Sequence, residues 1–212
     1  MGRGEFAVYF LSRFGDENIP IQELNFNCDE IEDLSLRTQT EAWLTAISPD
    51  IRINIEQRST EYFLKFGYRK EGTPMKWIDA LNTGFGITYV LSVLVAVLFA
   101  PKGSLVLIEN PEAHIHPAAQ AALMKLISRA AEHGVQIILE THSDHVINGA
   151  LVALKKGELK ETHLAVYYFD RNRDTMNAEA IPLAIGKNCR IKDAPQGFFD
   201  QMKMDLETLF GF

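Results

Sequence analysis

The segment Leu105-Val106-Leu107-Ile108-Glu109-Asn110-Pro111-Glu112-Ala113-His114-Ile115-His116-Pro117 constrains the fold of this chain more than any other stretch. Apolar residues run straight into a carboxylate, a proline, a second carboxylate and two histidines. A short unbroken apolar run that ends in turn residues reads as a buried strand of a parallel sheet. Its polar end is then the C-terminal tip of the strand. In open α/β sheets ligands gather at that tip, because strands end there and loops converge. Asn110 stands immediately after Glu109, where a second carboxylate would be useful to catalysis.

A second apolar run, residues 135–140, leads into Glu140-Thr141-His142-Ser143. Between the two runs a helix is expected from Pro117, favoured in a first helical turn, to Gly134, a residue typical of helix ends. Together these make a βαβ unit with both strands covered on both faces and a right-handed crossover. If the strands are neighbours, Glu109 and the Thr141-His142-Ser143 turn emerge side by side, and two polar clusters become one site.

Around this unit the pattern predicts a helix over 37–47 and two antiparallel strands over 51–57 and 61–68, joined near Arg58-Ser59-Thr60. Residues 87–100 are apolar except Thr88, Tyr89 and Ser92, and Gly84, Gly86 and Pro101-Lys102-Gly103 bound them. A bilayer span needs about 20 such residues, so a buried core helix is expected here. A helix over 143–154, a hairpin over 164–169 and 178–183, and an amphipathic helix over 198–210 complete the chain. The expected division is an N-terminal piece of helix and antiparallel strands (1–76), a core (77–160) and a hairpin-and-helix extension (161–212).

The net charge is −7, from 21 basic against 28 acidic residues, so the chain as a whole is no electrostatic sleeve for nucleic acid. Lys155, Lys156, Lys160, Arg171 and Arg173 are the candidates for a local basic patch. Cys28 and Cys189 lie far apart with no CxxC spacing, which fits a reduced cytoplasmic protein rather than a disulfide scaffold or zinc ribbon. No signal-peptide pattern is visible, and no membrane association is expected.

In order, Asn82-Thr83-Gly84-Phe85-Gly86 opens an apolar helix, then Glu109 with Pro111-Glu112 and His116-Pro117, then Glu140-Thr141-His142-Ser143. This succession resembles the C-terminal half of an ABC-type P-loop ATPase. It is most similar to the bacterial branch of overcoming-lysogenization-defect (OLD) nucleases and their AAA-type relatives. Pro195-Gln196-Gly197-Phe198-Phe199-Asp200 resembles the C-terminal extension of one subgroup. The resemblance implies an α/β P-loop NTPase fold in which Glu109 holds Mg²⁺, directly or through water. It implies that His142 is the switch histidine reaching the γ-phosphate of ATP, and that His116 stands at the D-loop position. Asn82, Gly84 and Gly86 fall on the signature segment, which serves nucleotide bound by the opposite subunit of a head-to-tail homodimer. The same analogy links the family to DNA, but no acidic nuclease cluster follows the core.

Two departures qualify what the resemblance implies. At Asn110 most ABC proteins carry the glutamate that polarises the attacking water, and an amide cannot take that proton. Asn110 can still orient a water, as a glutamine does in some GTPases, while Glu112 is a candidate substitute base. The chain also lacks a Walker A loop. The nearest match, Gly186-Lys187, has Ile181 where the first glycine belongs and Asn188 in place of Ser or Thr. The opening Gly2-Arg3-Gly4-Glu5-Phe6 resembles an interior stretch of the family. The chain is therefore expected to be an N-terminally truncated piece that binds ATP poorly alone. Two other readings stay open: a non-catalytic regulatory or dimerisation module, and a metal-dependent hydrolase whose zinc or manganese is held by Glu112, His114, His116, His142 and His145.

Overall fold

The computed structural model describes residues 6–26, 31–172, 175–195, 198–199 and 201–211. These form two compact units, Met1–Gly149 and Ala150–Phe212. Cys28, Arg173 and residues 2–5, 196, 197 and 200, all drawn on above, lie outside the described residues.

The first unit opens with helices α1 (Ala7–Phe14) and α2 (Leu36–Thr45). Ser35 caps α2 by accepting a hydrogen bond from the Thr38 amide at 3.3 Å, which satisfies one of the free N–H groups of the first turn. Asp33 reinforces that start. Its carboxylate accepts from the Thr38 hydroxyl at 2.5 Å and from the Ser35 amide at 2.8 Å, which holds its pKa below the ordinary carboxylate value. Trp43 is buried on α2 and donates its indole N–H to the Leu24 carbonyl at 2.8 Å. An antiparallel sheet follows, with strands β1 (Ile51–Arg58), β2 (Glu61–Tyr68) and β3 (Trp77–Asp79) in that order. Glu41 ties α2 to β1, meeting Arg52 at 3.2 Å and the Ile53 amide at 2.9 Å. The expected helix and two strands of this region are present. Helix α1 and the three-residue β3 were not anticipated: β3 is too short to display a period, whereas α1 does carry an amphipathic pattern, with Ala7 and Leu11 buried one turn apart.

Helix α3 (Phe85–Phe99) is the expected apolar helix, with Val90, Leu91, Leu94, Val97 and Leu98 buried. No helix among the described residues is long and apolar enough to cross a membrane. Strand β4 (Leu105–Glu109), helix α4 (Pro117–Glu132) and strand β5 (Gln136–Glu140) then form the βαβ unit. Pro117 occupies the first turn of α4, and Gly134 takes φ +99°, a conformation that only glycine adopts freely. The strands are parallel and paired in register from Leu105↔Gln136 to Glu109↔Glu140.

One expectation fails here. Ile108 is buried, but Leu105, Leu107 and Ile138 are 54%, 53% and 56% exposed, so among the described residues the sheet is covered on one face only. Helix α3 packs on β4 and on α4, and α4 packs on β5, which supplies a single helical layer. An unbroken apolar run reports that a strand suits cover on both faces, not that this chain supplies it.

The division between units falls within helix α5 (Asp144–Lys156), whose last turn carries Lys155 and Lys156. In the second unit, β6 (Val166–Arg171) and β7 (Ala178–Leu183) pair antiparallel from Val166↔Leu183 to Arg171↔Ala178. This is the expected hairpin, with its first strand starting two residues later. Tyr168 meets Phe198 edge-on with ring centroids 5.9 Å apart. Helix α6 (Gln201–Phe210) closes the chain and leaves Leu209 and Phe210 exposed.

Candidate nucleotide site

At the tip of the βαβ unit, Glu109 and Glu140 end the two strands as register partners, and both are exposed. The Asn110 amide donates to the Glu140 carbonyl at 2.9 Å, carrying the parallel ladder one bond beyond the strands. The turns after β4 and β5 therefore leave the sheet side by side, as the sequence suggested. Asn110 has φ +47°, in the left-handed region where asparagine is enriched among L residues. Its carbonyl accepts from the Ala113 amide at 3.0 Å and closes the turn.

Glu112 reaches across to the neighbouring turn with both carboxylate oxygens. One accepts from the Thr141 hydroxyl at 2.7 Å and the other from the His142 amide at 2.6 Å. The Thr141 hydroxyl in turn accepts from the Ser143 amide at 3.0 Å. Ser143 and Gln120, both buried, continue the chain of bonds: the Ser143 hydroxyl donates to the Gln120 amide oxygen at 2.5 Å. The Gln120 amide nitrogen donates to the Ile115 carbonyl at 3.0 Å. The His142 ring stays outside this network. It is 78% exposed, with Nε2 at 3.2 Å from a Glu140 carboxylate oxygen.

The start of α3 is fastened to the same tip. The Tyr89 hydroxyl donates to the Glu109 backbone carbonyl. Burial raises the Tyr89 pKa, and the charges of Glu112, Glu109 and Glu140 add to the effect. Gly84 and Gly86 occupy different surroundings. Gly84 is exposed, and a Cβ there would meet nothing within 4 Å, so its backbone is open to a ligand. Gly86 lies against the His114 carbonyl, where a Cβ would collide with backbone. Asn82, Leu81 and Phe85 are exposed around Gly84, and Phe85 meets the His114 ring edge-on at 5.1 Å.

The histidines do not converge. His114 faces Phe85, His142 faces Glu140, and His145 lies 3.7 Å from Asp144. His116 caps α4, its Nδ1 accepting from the Ala118 amide at 3.3 Å. Among the described residues, no three His, Cys, Asp or Glu side chains are grouped to hold a metal ion. The residues that sequence reasoning did not assign are Tyr89, Gln120, Thr141 and Ser143. Thr141 and Ser143 gave a signal as members of the polar turn after β5, and Tyr89 as a polar tip on an apolar helix, whereas Gln120 gave none. A cavity of about 370 Å³ lies elsewhere, among Phe6, Phe10, Val95, Phe99 and Leu105, at the opposite end of β4 from Glu109.

The family described as "AAA domain, putative AbiEii toxin, Type IV TA system" matches residues 4–148. The chain belongs to this family. Every residue from Asn82 to His142 discussed above lies inside the AAA match. A second family, "Protein of unknown function (DUF3696)", matches residues 159–209, the hairpin and most of α6. No curated protein matches the chain. Among solved structures, one described as "Structural biochemistry of ATP-driven dimerization and DNA stimulated activation of SMC ATPases" is similar with a TM-score of 0.53 and 15% identity, over 82% of this chain and 91% of that one. A second, the "SmcHead bound to the C-winged helix domain of ScpA", has a TM-score of 0.51 and 15% identity, over 86% of this chain and 55% of that one. The AAA chain therefore has the α/β fold of a P-loop ATPase head.

Proposed function

We propose that this chain contributes one half of an ATP-hydrolysing site: the metal carboxylate, the switch histidine and the signature surface. The observation that carries the reading is the register pairing of Glu109 with Glu140, which puts the Glu109 carboxylate beside the His142 turn in a chain of the AAA family. The donor chemistry suits magnesium. Mg²⁺ takes oxygen ligands, keeps several waters and needs only one or two carboxylates besides phosphate, and Glu109 is an exposed carboxylate at a strand tip. When bound, the ion would neutralise phosphate charge.

On this reading Asn110 orients the attacking water, and His142 hydrogen-bonds the γ-phosphate. Asn82 and the backbone around Gly84 meet nucleotide held by a second copy, Gly86 sets the approach of α3, and His116 lies at the D-loop position. Such trans use implies a head-to-tail homodimer. ATP-driven dimerization is described for the SMC ATPase of similar fold. The DNA stimulation described there, the OLD-like assignment and a cytoplasmic location come to this chain by analogy. Residues 77–160 carry these elements, flanked by 1–76 and 161–212. The phosphate cradle comes from polypeptide outside these 212 residues, since no Walker A loop is written in them.

A non-catalytic regulatory role is the second reading, favoured by the amide at Asn110. Turnover by a complete site, one that includes a Walker A loop, separates the two. Glu109→Gln should lower ATP hydrolysis on the order of a hundredfold or more, because a neutral amide replaces the magnesium carboxylate. Unchanged turnover removes Glu109 from its role, and no turnover in the parent protein favours the regulatory reading.

A further inference from the structure

The geometry points to Glu112 as a positioning residue: a carboxylate clasp that holds the His142 turn against the turn after β4, rather than a group that acts on substrate. Three observations carry this. Both Glu112 oxygens are engaged, one by the Thr141 hydroxyl at 2.7 Å and one by the His142 amide at 2.6 Å. The second bond falls on the backbone of the histidine itself, so it sets where the imidazole starts from while leaving the ring outside. The far side of the clasp is anchored in buried structure through Thr141, Ser143 and Gln120 back to the Ile115 carbonyl, three residues beyond Glu112. The bonds thus form a closed loop: the turn after β4, the turn after β5, helix α4, and the turn after β4 again.

A closed loop of this kind resists the independent movement of either turn. A carboxylate suits the task, since it accepts at both oxygens and bonds to an ionised acceptor are the stronger class. Glutamine keeps one carbonyl acceptor but turns an N–H₂ toward the other donor. Alanine removes both acceptors. The loop is joined to the signature side as well, because the His114 carbonyl within the same turn lies against Gly86. What His142 is positioned to do rests on the nucleotide-site reading, whereas the clasp does not.

Amide hydrogen exchange and ¹H chemical shift of His142, read by NMR on the 212-residue chain without nucleotide, test the clasp directly. In Glu112→Ala the His142 amide should exchange at least about tenfold faster, the scale set by losing one charge-assisted bond. In Glu112→Gln, which keeps the shape of the side chain, the amide proton should move upfield. Thr141→Val should loosen the same amide through the other arm, and amides in the middle of α3 should not respond. If Glu112→Ala does not fold, the Glu112→Gln shift decides alone. An unmoved His142 amide in the folded variants overturns the clasp. In a turnover-competent protein, Glu112→Gln should add nothing on a His142→Ala background, whereas a full further loss there overturns positioning in favour of direct catalysis. If His142 responds in the free chain while no protein containing it turns over ATP, the clasp stands and the nucleotide reading falls.

Discussion

Asn110 turns the chain out of β4 with φ +47°. That conformation costs most L residues roughly 1–2 kcal/mol and costs asparagine less, because its short amide bonds locally. The residue that breaks the ABC pattern is thus one that this backbone accepts with little strain. Asn110→Gly should leave stability within about 0.5 kcal/mol of the parent in urea unfolding. Asn110→Val should lose roughly 1–2 kcal/mol, since a β-branched residue is strained there. Equal stabilities for the two variants would show that the turn relaxes and that φ does not restrict the residue. Gly86 is a second place where the backbone decides, because it lies against the His114 carbonyl. Neither constraint could be read from the sequence. A conformation and a close approach are properties of two segments meeting, and the sequence shows each segment alone.

At the level of elements, the start of α2 rests on Ser35 and Asp33. Bonds from the Thr38 hydroxyl and the Ser35 amide depress the Asp33 pKa. A carboxyl depressed on folding adds stability above its unfolded pKa of about 3.9 and loses that contribution as pH falls through the folded value. Asp33→Asn should therefore unfold at lower urea than the parent at pH 7, with the gap closing below about pH 4. A gap that persists in acid would assign the effect to shape rather than charge. The β1–β2 hairpin was legible in advance from its alternation, and α3 from an apolar run of helical length bounded by glycine and proline. The parallel pair β4 and β5 was legible too, from continuous apolar runs, but its burial was not. Leu105, Leu107 and Ile138 are apolar in sequence and exposed in the fold. The site divides the same way. Glu109 and His142 stood out through motif order, while the bonds that Tyr89, Thr141 and Gln120 make run across elements, and no local pattern encodes them.

For the molecule as a whole, two features bear on the proposed half-site. Among the described residues the βαβ sheet has one helical layer and an exposed apolar face, and Glu109 and Glu140 stand at the end of that exposed face. On the proposed reading the chain carries a metal carboxylate, a switch histidine and a signature surface, while no glycine-rich loop for the β- and γ-phosphates is written in its 212 residues. The most direct measurement is a calorimetric titration of the 212-residue chain with ATP in the presence of Mg²⁺. Without a phosphate cradle, binding should not saturate below about 1 mM, which corresponds to roughly 4 kcal/mol or less of affinity. Saturable micromolar binding, abolished by Glu109→Gln, would contradict the half-site and show that this chain holds nucleotide by itself.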